Sequence, residues 1–226
     1  LKRYLLSMIY GRENNFQYVI HQNVKKKSLF IDIGSSDGDE AKIALNKFRS
    51  VRSIIFEPYA FNRKKIFKNL NRKCYINRFK VYDYCISDRN SKINFYTNPK
   101  KTNLNSTTYF QNSIKVKKNS MTFDEAAKKF KFTTPIFIKA DIEGGEEKLL
   151  KGAKNFLYKK NDVSILLELH PDKYKDNKFK NIIKSLIKNG YKIRYIESAG
   201  SPIPIQFKEN KLQPIRIYNN RGLYKN

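Results

Sequence analysis

The sequence predicts an α/β protein: a mostly parallel sheet with helices on both faces. Short apolar runs of strand length recur along the chain, separated by segments of helical period. That alternation is the mark of βαβ units. The first of these runs, Leu29-Phe30-Ile31-Asp32-Ile33, breaks into Gly34-Ser35-Ser36-Asp37-Gly38 and then a helix. A strand that ends this way puts bare backbone N–H groups beside a ligand. A second strand ends on Glu57, at the distance where an acidic side chain grips a ribose diol.

The elements follow in order. Residues 1 to about 22 carry apolar side chains at helical intervals (Leu5, Leu6, Ile9, then Phe16, Val19, Ile20), which predicts one or two helices packed on the domain. The division expected is a helical extension over 1–27 and one domain over 28–226. Leu29–Ile33 is a strand, and Glu40–Phe48 a helix with Ile43, Ala44 and Phe48 inward. Val51–Phe56 is a strand, and Ala60–Leu70 a helix opening after Pro58 with Ile66, Phe67 and Leu70 on one side. Phe79–Ile86 reads as a third strand. Ile93–Tyr96 and Ile114–Val116 are short strands around Asn98–Ser113, a stretch rich in Asn, Ser and Thr and too long for a turn, as working loops are. Thr122 stands three residues before Glu125 and caps a helix over Phe123–Phe130. Pro135–Ala140 is a strand, Glu146–Tyr158 a helix and Val163–Leu169 a strand. Phe179–Lys188 is a helix stopped by Asn189-Gly190, Tyr191–Ile196 is a strand, and the tail from Pro202 offers one more pairing.

At 226 residues the chain is long enough for one domain with a sizeable core, and a 40% hydrophobic, 14% aromatic composition argues against disorder. No apolar run approaches the roughly 18 to 20 residues that cross a bilayer. The basic and apolar start at Leu1 is broken by Gly11-Arg12-Glu13-Asn14-Asn15 without a small-residue cleavage site, so no signal peptide is expected. Cys74 and Cys85 are the only cysteines, and His21 and His170 the only histidines. That excludes a zinc framework, lends no support to a disulfide scaffold and makes a reducing, cytoplasmic setting the expectation. The net charge of +27 invites a nucleic-acid reading. However, Lys, Asn, Ile, Tyr and Phe are abundant while Trp is absent, a bias that AT-rich coding imposes on any fold. Groups such as Lys25-Lys26-Lys27, Arg63-Lys64-Lys65 and Lys117-Lys118 are scattered and read as solvated faces. No nucleic-acid partner is expected.

Four constellations carry chemistry. In Asp32-x-Gly34-x-x-x-Gly38 the glycines permit a tight turn and close backbone approach, although Ser36 stands where a dinucleotide fingerprint has its second glycine. Gly34, Ser35 and Gly38 are the candidate cofactor contacts of that loop. Asp32 accepts hydrogen bonds either from the loop itself or from a cofactor's amine. Glu57, stopped by Pro58, is either a surface Glu or a bidentate acceptor for two ribose hydroxyls. In Lys139-Ala140-Asp141-Ile142-Glu143-Gly144-Gly145-Glu146, two acids follow a buried strand at the carboxyl end of the sheet, where such folds hold ligands. Glu146 and Glu147 also suit a helix start through the macrodipole alone. Finally, Glu168 stands amid an apolar strand, where it is costly unless paired, and close to His170, a group suited to proton transfer near neutral pH. A Glu satisfied by a neighbouring loop and a His without a role are the plain alternatives.

Asp32-Ile33-Gly34, Phe56-Glu57-Pro58, Ile86-Ser87-Asp88, Thr122-Phe123-Asp124, Lys139 to Glu146, Leu150-Lys151-Gly152-Ala153 and Glu168-Leu169-His170-Pro171 occur in the order seen in FkbM-type methyltransferases, which the chain resembles from about residue 28 to 196. The Asp-x-Glu-Gly-x-Glu segment followed by Leu-x-Gly-Ala is its most specific part. Ser36 stands where that family usually has Asn or Gly. The resemblance implies a Rossmann-like class I fold with a seven-stranded sheet, and S-adenosylmethionine (SAM) as cofactor. It also implies methylation of a hydroxyl on a sugar, glycan or related small molecule. Asp32 and Gly34 would line the methionine part of the cofactor, Glu57 its ribose and Cys85 to Ser87 the adenine rim. Asp141 and Glu143 would stand at the reacting centre.

Methyl transfer needs an aligned nucleophile and desolvation more than covalent help. A hydroxyl is a weak nucleophile, so a base is expected close by, from among Asp141, Glu143 and His170. A divalent cation held by the carboxylates would serve the same end by lowering the hydroxyl's pKa, and the residues leave both routes open. Two rival readings are an RNA methyltransferase using the basic surface and a non-catalytic nucleotide-binding domain. The first lacks an Asn/Asp-Pro-Pro-Tyr motif after the fourth main strand, Glu57-Pro58-Tyr59 being at the wrong strand, and the second sits poorly with acids intact at every expected position.

Overall fold

In the computed structural model, residues 15–100, 105–159, 162–169, 178–192, 195–196, 205–206, 218–219 and 222–223 are described. Helix α1 (Asn15–Asn23) leads into strand β1 (Leu29–Ile33), helix α2 (Asp39–Lys47), strand β2 (Arg52–Phe56), helix α3 (Ala60–Asn69) and strand β3 (Phe79–Tyr82). Three further strands, β4 (Cys85–Ser87), β5 (Ser91–Thr97) and β6 (Ile114–Thr122), precede helix α4 (Phe123–Lys129). Then come β7 (Ile136–Ala140), α5 (Glu146–Gly152), α6 (Lys154–Lys159), β8 (Val163–Leu167) and α7 (Lys178–Lys188). Four two-residue strands follow: β9 (Tyr195–Ile196) pairs with β10 (Ile205–Gln206), and β11 (Tyr218–Asn219) with β12 (Gly222–Leu223). The expectations for residues 1–14 and for His170 lie outside the described residues.

The main sheet has five strands in the order β3-β2-β1-β7-β8, and every pairing is parallel. Its β1 lies between β2 and β7, so the strand order reverses there, and that is where open α/β sheets hold ligands. Period-two alternation gives each strand two apolar faces. Leu29, Ile31 and Ile33 join one buried cluster with Phe123, Leu149 and Leu157, which covers them with α4, α5 and α6. Phe30 and Phe137 join the opposite cluster with Ile20 of α1, Ala44 of α2 and Ile66 of α3. Helices on both faces follow directly.

Four expectations are modified. The seven-stranded sheet is a five-stranded sheet beside a separate three-stranded one, β4-β6-β5, among the described residues. The run Phe79–Ile86 supplies both, because it breaks at Asp83-Tyr84: β3 pairs with β2 while β4 turns away to pair with β6. Asp83 is held outward by Arg63 at 3.0 Å. The single helix expected over Glu146–Tyr158 is two, parted at Ala153. There the Asp124 carboxylate accepts from the backbone N–H groups of Asn155 (3.1 Å) and Phe156 (2.7 Å), capping α6. On α3 the inward residues are Asn62, Ile66 and Leu70, and Phe67 is 51% exposed. The expected cap holds: Thr122 Oγ1 accepts from Glu125 N at 3.1 Å.

Candidate active site

The sheet register puts four strand ends in a row. Ile33 pairs with Phe56 on one side and Ala140 on the other, and Ala140 pairs with Leu167. The next residues, Gly34, Glu57, Asp141 and Glu168, therefore stand side by side at the carboxyl edge. Their backbones are tied in sequence: Gly34 N to Phe56 O at 3.0 Å, Asp141 N to Ile33 O at 3.1 Å and Glu168 N to Ala140 O at 2.9 Å. All four line one cavity of about 220 Å³, with Ser36, Asn62, Tyr84 to Ser87, Glu143 and, from the second sheet and its loop, Phe95, Asn105 and Thr107.

Gly34 has φ +77°, and a Cβ there would lie 2.0 Å from the Asp141 carbonyl oxygen. Only glycine lets this turn and the segment after β7 touch. Ser36 takes φ +50°, a left-handed conformation that Asn and Gly adopt more readily. Its N–H donates to Glu57 Oε2 at 3.3 Å, while Tyr59 N–H donates to Oε1 at 2.8 Å. Burial pushes the Glu57 carboxyl up to about 7, against the pull of these N–H groups and of the Asn62 side chain. Glu57 thus lines the cavity as a buried carboxyl at the end of β2, a group of the type that accepts from a diol.

Beneath the loop lies a group that does not line the cavity. Asp32 is fully buried and its Oδ2 accepts from Ser35 Oγ at 2.6 Å, while Oδ1 lies 3.4 Å from Lys139 Nζ. Lys139 Nζ also donates to Gly34 O at 3.1 Å. Of the expected cofactor residues, then, Gly34, Glu57, Cys85 and Ser87 border the cavity, and Asp32, Ser35 and Gly38 shape the loop from below. Burial, reinforced by the Glu57 charge, pushes the Cys85 thiol up to about 12, so it packs as an apolar rim group rather than as a nucleophile.

The segment after β7 is built by its own acids. Glu146 is fully buried, and its Oε1 accepts from Ile142 N (3.2 Å) and Gly144 N (3.3 Å), which closes the turn that presents Asp141 and Glu143. Glu147 pairs with Lys151 on the surface. Glu143 has φ +54°, and its carbonyl accepts from Ser106 Oγ at 2.8 Å. Ser106 in turn pairs its backbone with Tyr96 in both directions. That anchor brings Asn105 and Thr107, from the polar loop, to the cavity. Thr107 Oγ1 is buried without a hydrogen-bond partner. Gly152 sets the other wall: a Cβ there would lie 2.0 Å from the Ser87 carbonyl oxygen, so the glycine lets α5 back directly onto the rim strand β4.

Residues 32–193 match the methyltransferase FkbM domain. The chain belongs to that family. The crystal structure of methyltransferase FkbM from Methylobacillus flagellatus KT shares 16% identity at a TM-score of 0.54, over 78% of this chain and 42% of that one. That likeness is one of fold, and the present chain spans less than half of that protein's length. A crystal structure of precorrin-6y C5,15-methyltransferase from Geobacter metallireducens GS-15 is 15% identical over 78% of this chain and 71% of that one, at a TM-score of 0.44. No curated protein matches the sequence.

The FkbM motifs acquire physical reasons here. Leu-x-Gly-Ala needs its glycine against Ser87, and Thr-Phe-Asp caps two helices at once. Asn62, Tyr84, Phe95, Asn105 and Thr107 were not anticipated at the site. Asn62 left a local signal, four residues before Ile66 on the inward stripe of α3, where a polar residue needs a partner, and Asn105 and Thr107 lie in the polar stretch Asn98–Ser113 that reads as a working loop. Among the described residues no three His, Cys, Asp or Glu side chains are grouped to hold a metal ion. No helix there is long and apolar enough to cross a membrane.

Proposed function

We propose that this FkbM-family chain is a SAM-dependent methyltransferase that acts on a hydroxyl of a sugar, glycan or related small molecule. The observation that carries the reading is the row of Gly34, Glu57, Asp141 and Glu168 on one cavity: close backbone approach, a diol acceptor and two further carboxylates, in sheet order. When bound, SAM supplies an electrophilic methyl group. Glu57 holds the ribose hydroxyls, the Gly34 loop admits the methionine part, and Tyr84 to Ser87 border the adenine. Asp141 or Glu143, in the turn closed by Glu146, takes up the one proton of the acceptor hydroxyl. Asn105 and Thr107 add an amide and a hydroxyl on the acceptor side, and Phe95 gives a flat apolar wall against which a sugar ring packs. The free thiols of Cys74 and Cys85 fit the reducing, cytoplasmic setting that the sequence predicts.

Methyl transfer from labelled SAM to a panel of glycosides, sugar nucleotides and RNA tests this. A glycoside or sugar nucleotide should be methylated. Asp141→Asn or Glu143→Gln should then lower turnover by roughly 100-fold or more with SAM affinity nearly kept. Methylated RNA with every sugar refused would overturn the acceptor class.

A further inference from the structure

We propose that Lys139 is a positioning residue of the cofactor loop, holding the Gly34 carbonyl and thereby the spacing between that loop and Asp141. The proposal rests on the methyltransferase reading above. Lys139 is 2% exposed in the middle of β7, beside Asp32 in the register. A buried ammonium is costly unless it is paired and hydrogen-bonded. Here burial draws the Lys139 pKa down, but Asp32, Glu40 and Asp141 outweigh it and hold it above the ordinary lysine value. Glu40 is itself pushed up to about 7 by burial, and Asp37 is raised for the same reason, each offset in part by Lys139. A single cation thus faces carboxylates from β1, from the loop, from α2 and from the end of its own strand.

A pair with purely structural work would end on Asp32. This one continues to a backbone atom of a cavity residue, at 3.1 Å from Gly34 O. Gly34 is also where an added Cβ would lie 2.0 Å from the Asp141 carbonyl oxygen, so loop and β7 segment are in close contact there. On its far side the loop is held by Ser36 N–H on Glu57. Lys139 from β7 and Glu57 from β2 therefore clamp the loop between the two strands that supply the ribose acceptor and the reacting-centre acid. Without Lys139 the Gly34 carbonyl loses its side-chain partner and turns freely, which shifts the backbone that a ligand must meet.

The test is binding of S-adenosylhomocysteine by calorimetry, with melting temperatures, for wild type, Lys139→Met, Asp32→Asn and the double variant. Lys139→Met alone strands the fully buried Asp32 charge and can unfold the chain, so the decisive pair is Asp32→Asn against Asp32→Asn/Lys139→Met, in which the lysine's ion-pair partner is already neutral. The double variant should bind at least tenfold more weakly than Asp32→Asn while melting within a few degrees of it. Equal affinities in that pair would overturn the proposal, as would a double variant that does not fold, since Lys139 would then serve the core alone. Wild type that fails to bind would instead overturn the methyltransferase reading.

Discussion

The loop after β1 is tied to the strands on both sides of it, whereas the segment carrying Asn105 and Thr107 reaches the same cavity from one strand and one serine hydroxyl. Gly34 bonds through its N–H to Phe56 and through its carbonyl to Lys139, and Ser36 to Glu57. Ser106, by contrast, bonds to Tyr96 and through its Oγ to the Glu143 carbonyl. In the proposed reading the main sheet sets the loop and ribose contacts of the cofactor, and the acceptor side is a graft around Ser106 from the second, smaller sheet, whose β4 also gives the adenine rim. Such a division suits an enzyme that keeps one cofactor while its acceptor varies, because the graft can change without disturbing the row at the sheet edge.

The largest effect should come from Gly34→Ala. Its Cβ would lie 2.0 Å from the Asp141 oxygen at φ +77°, so the loop or the β7 segment must move. Stability should fall by about 3 kcal/mol in urea denaturation, with cofactor binding lost. A variant as stable as wild type would mean that the loop is not rigidly held.

Glu57→Gln should act next, and through pH. The folded carboxyl titrates at about 7 against an ordinary 4.5. Between those values the folded protein keeps a proton that the unfolded chain releases. The stability contributed by this group is therefore fully present below about 4.5 and is lost as pH rises to 7. Relative to wild type, the Gln variant should gain up to about 3 kcal/mol between pH 4.5 and 8. Wild-type affinity for S-adenosylhomocysteine should rise over pH 6 to 8 as Glu57 ionises. The variant should bind more weakly, by about 1.5 to 3 kcal/mol per charged hydrogen bond lost, with a flat profile. Parallel stability curves for the two proteins would place the titration elsewhere.

Ser106→Ala should have the smallest effect. The hydroxyl donates to the Glu143 carbonyl and accepts from Thr108 N–H, so its loss costs about 1 kcal/mol for each of these bonds; cofactor affinity should stay as it is, and KM for the acceptor should rise. If Ser106→Ala weakened cofactor binding as much as Gly34→Ala, the contrast between the two sides would collapse.

The same contrast explains what the sequence made legible. Gly34, Glu57 and Asp141 follow strands whose apolar runs are unmistakable, and their chemistry is local: a forced turn, an acid before proline, an acid after a buried strand. Asn105 and Thr107 reach the cavity because Ser106 meets Tyr96 and Glu143, contacts between distant residues that leave no periodicity. Lys139 belongs to the strand expected over Pro135–Ala140 without a role of its own, and its burial emerges only when β1 places Asp32 beside it. The break between β3 and β4 falls in Tyr82-Asp83-Tyr84-Cys85, the weakest part of the expected strand, and pairing with two different sheets decides where each strand ends. The seven-strand expectation came from the family resemblance, and the described residues divide those strands between two sheets.

The central claim is that the row at the carboxyl edge holds SAM. Calorimetric titration of the wild-type chain with S-adenosylhomocysteine and SAM, with NAD as the competing nucleotide, tests it most directly. Saturable one-to-one binding of the first two and none of NAD is the predicted result. No binding of either at millimolar concentration, with NAD bound instead, would contradict it.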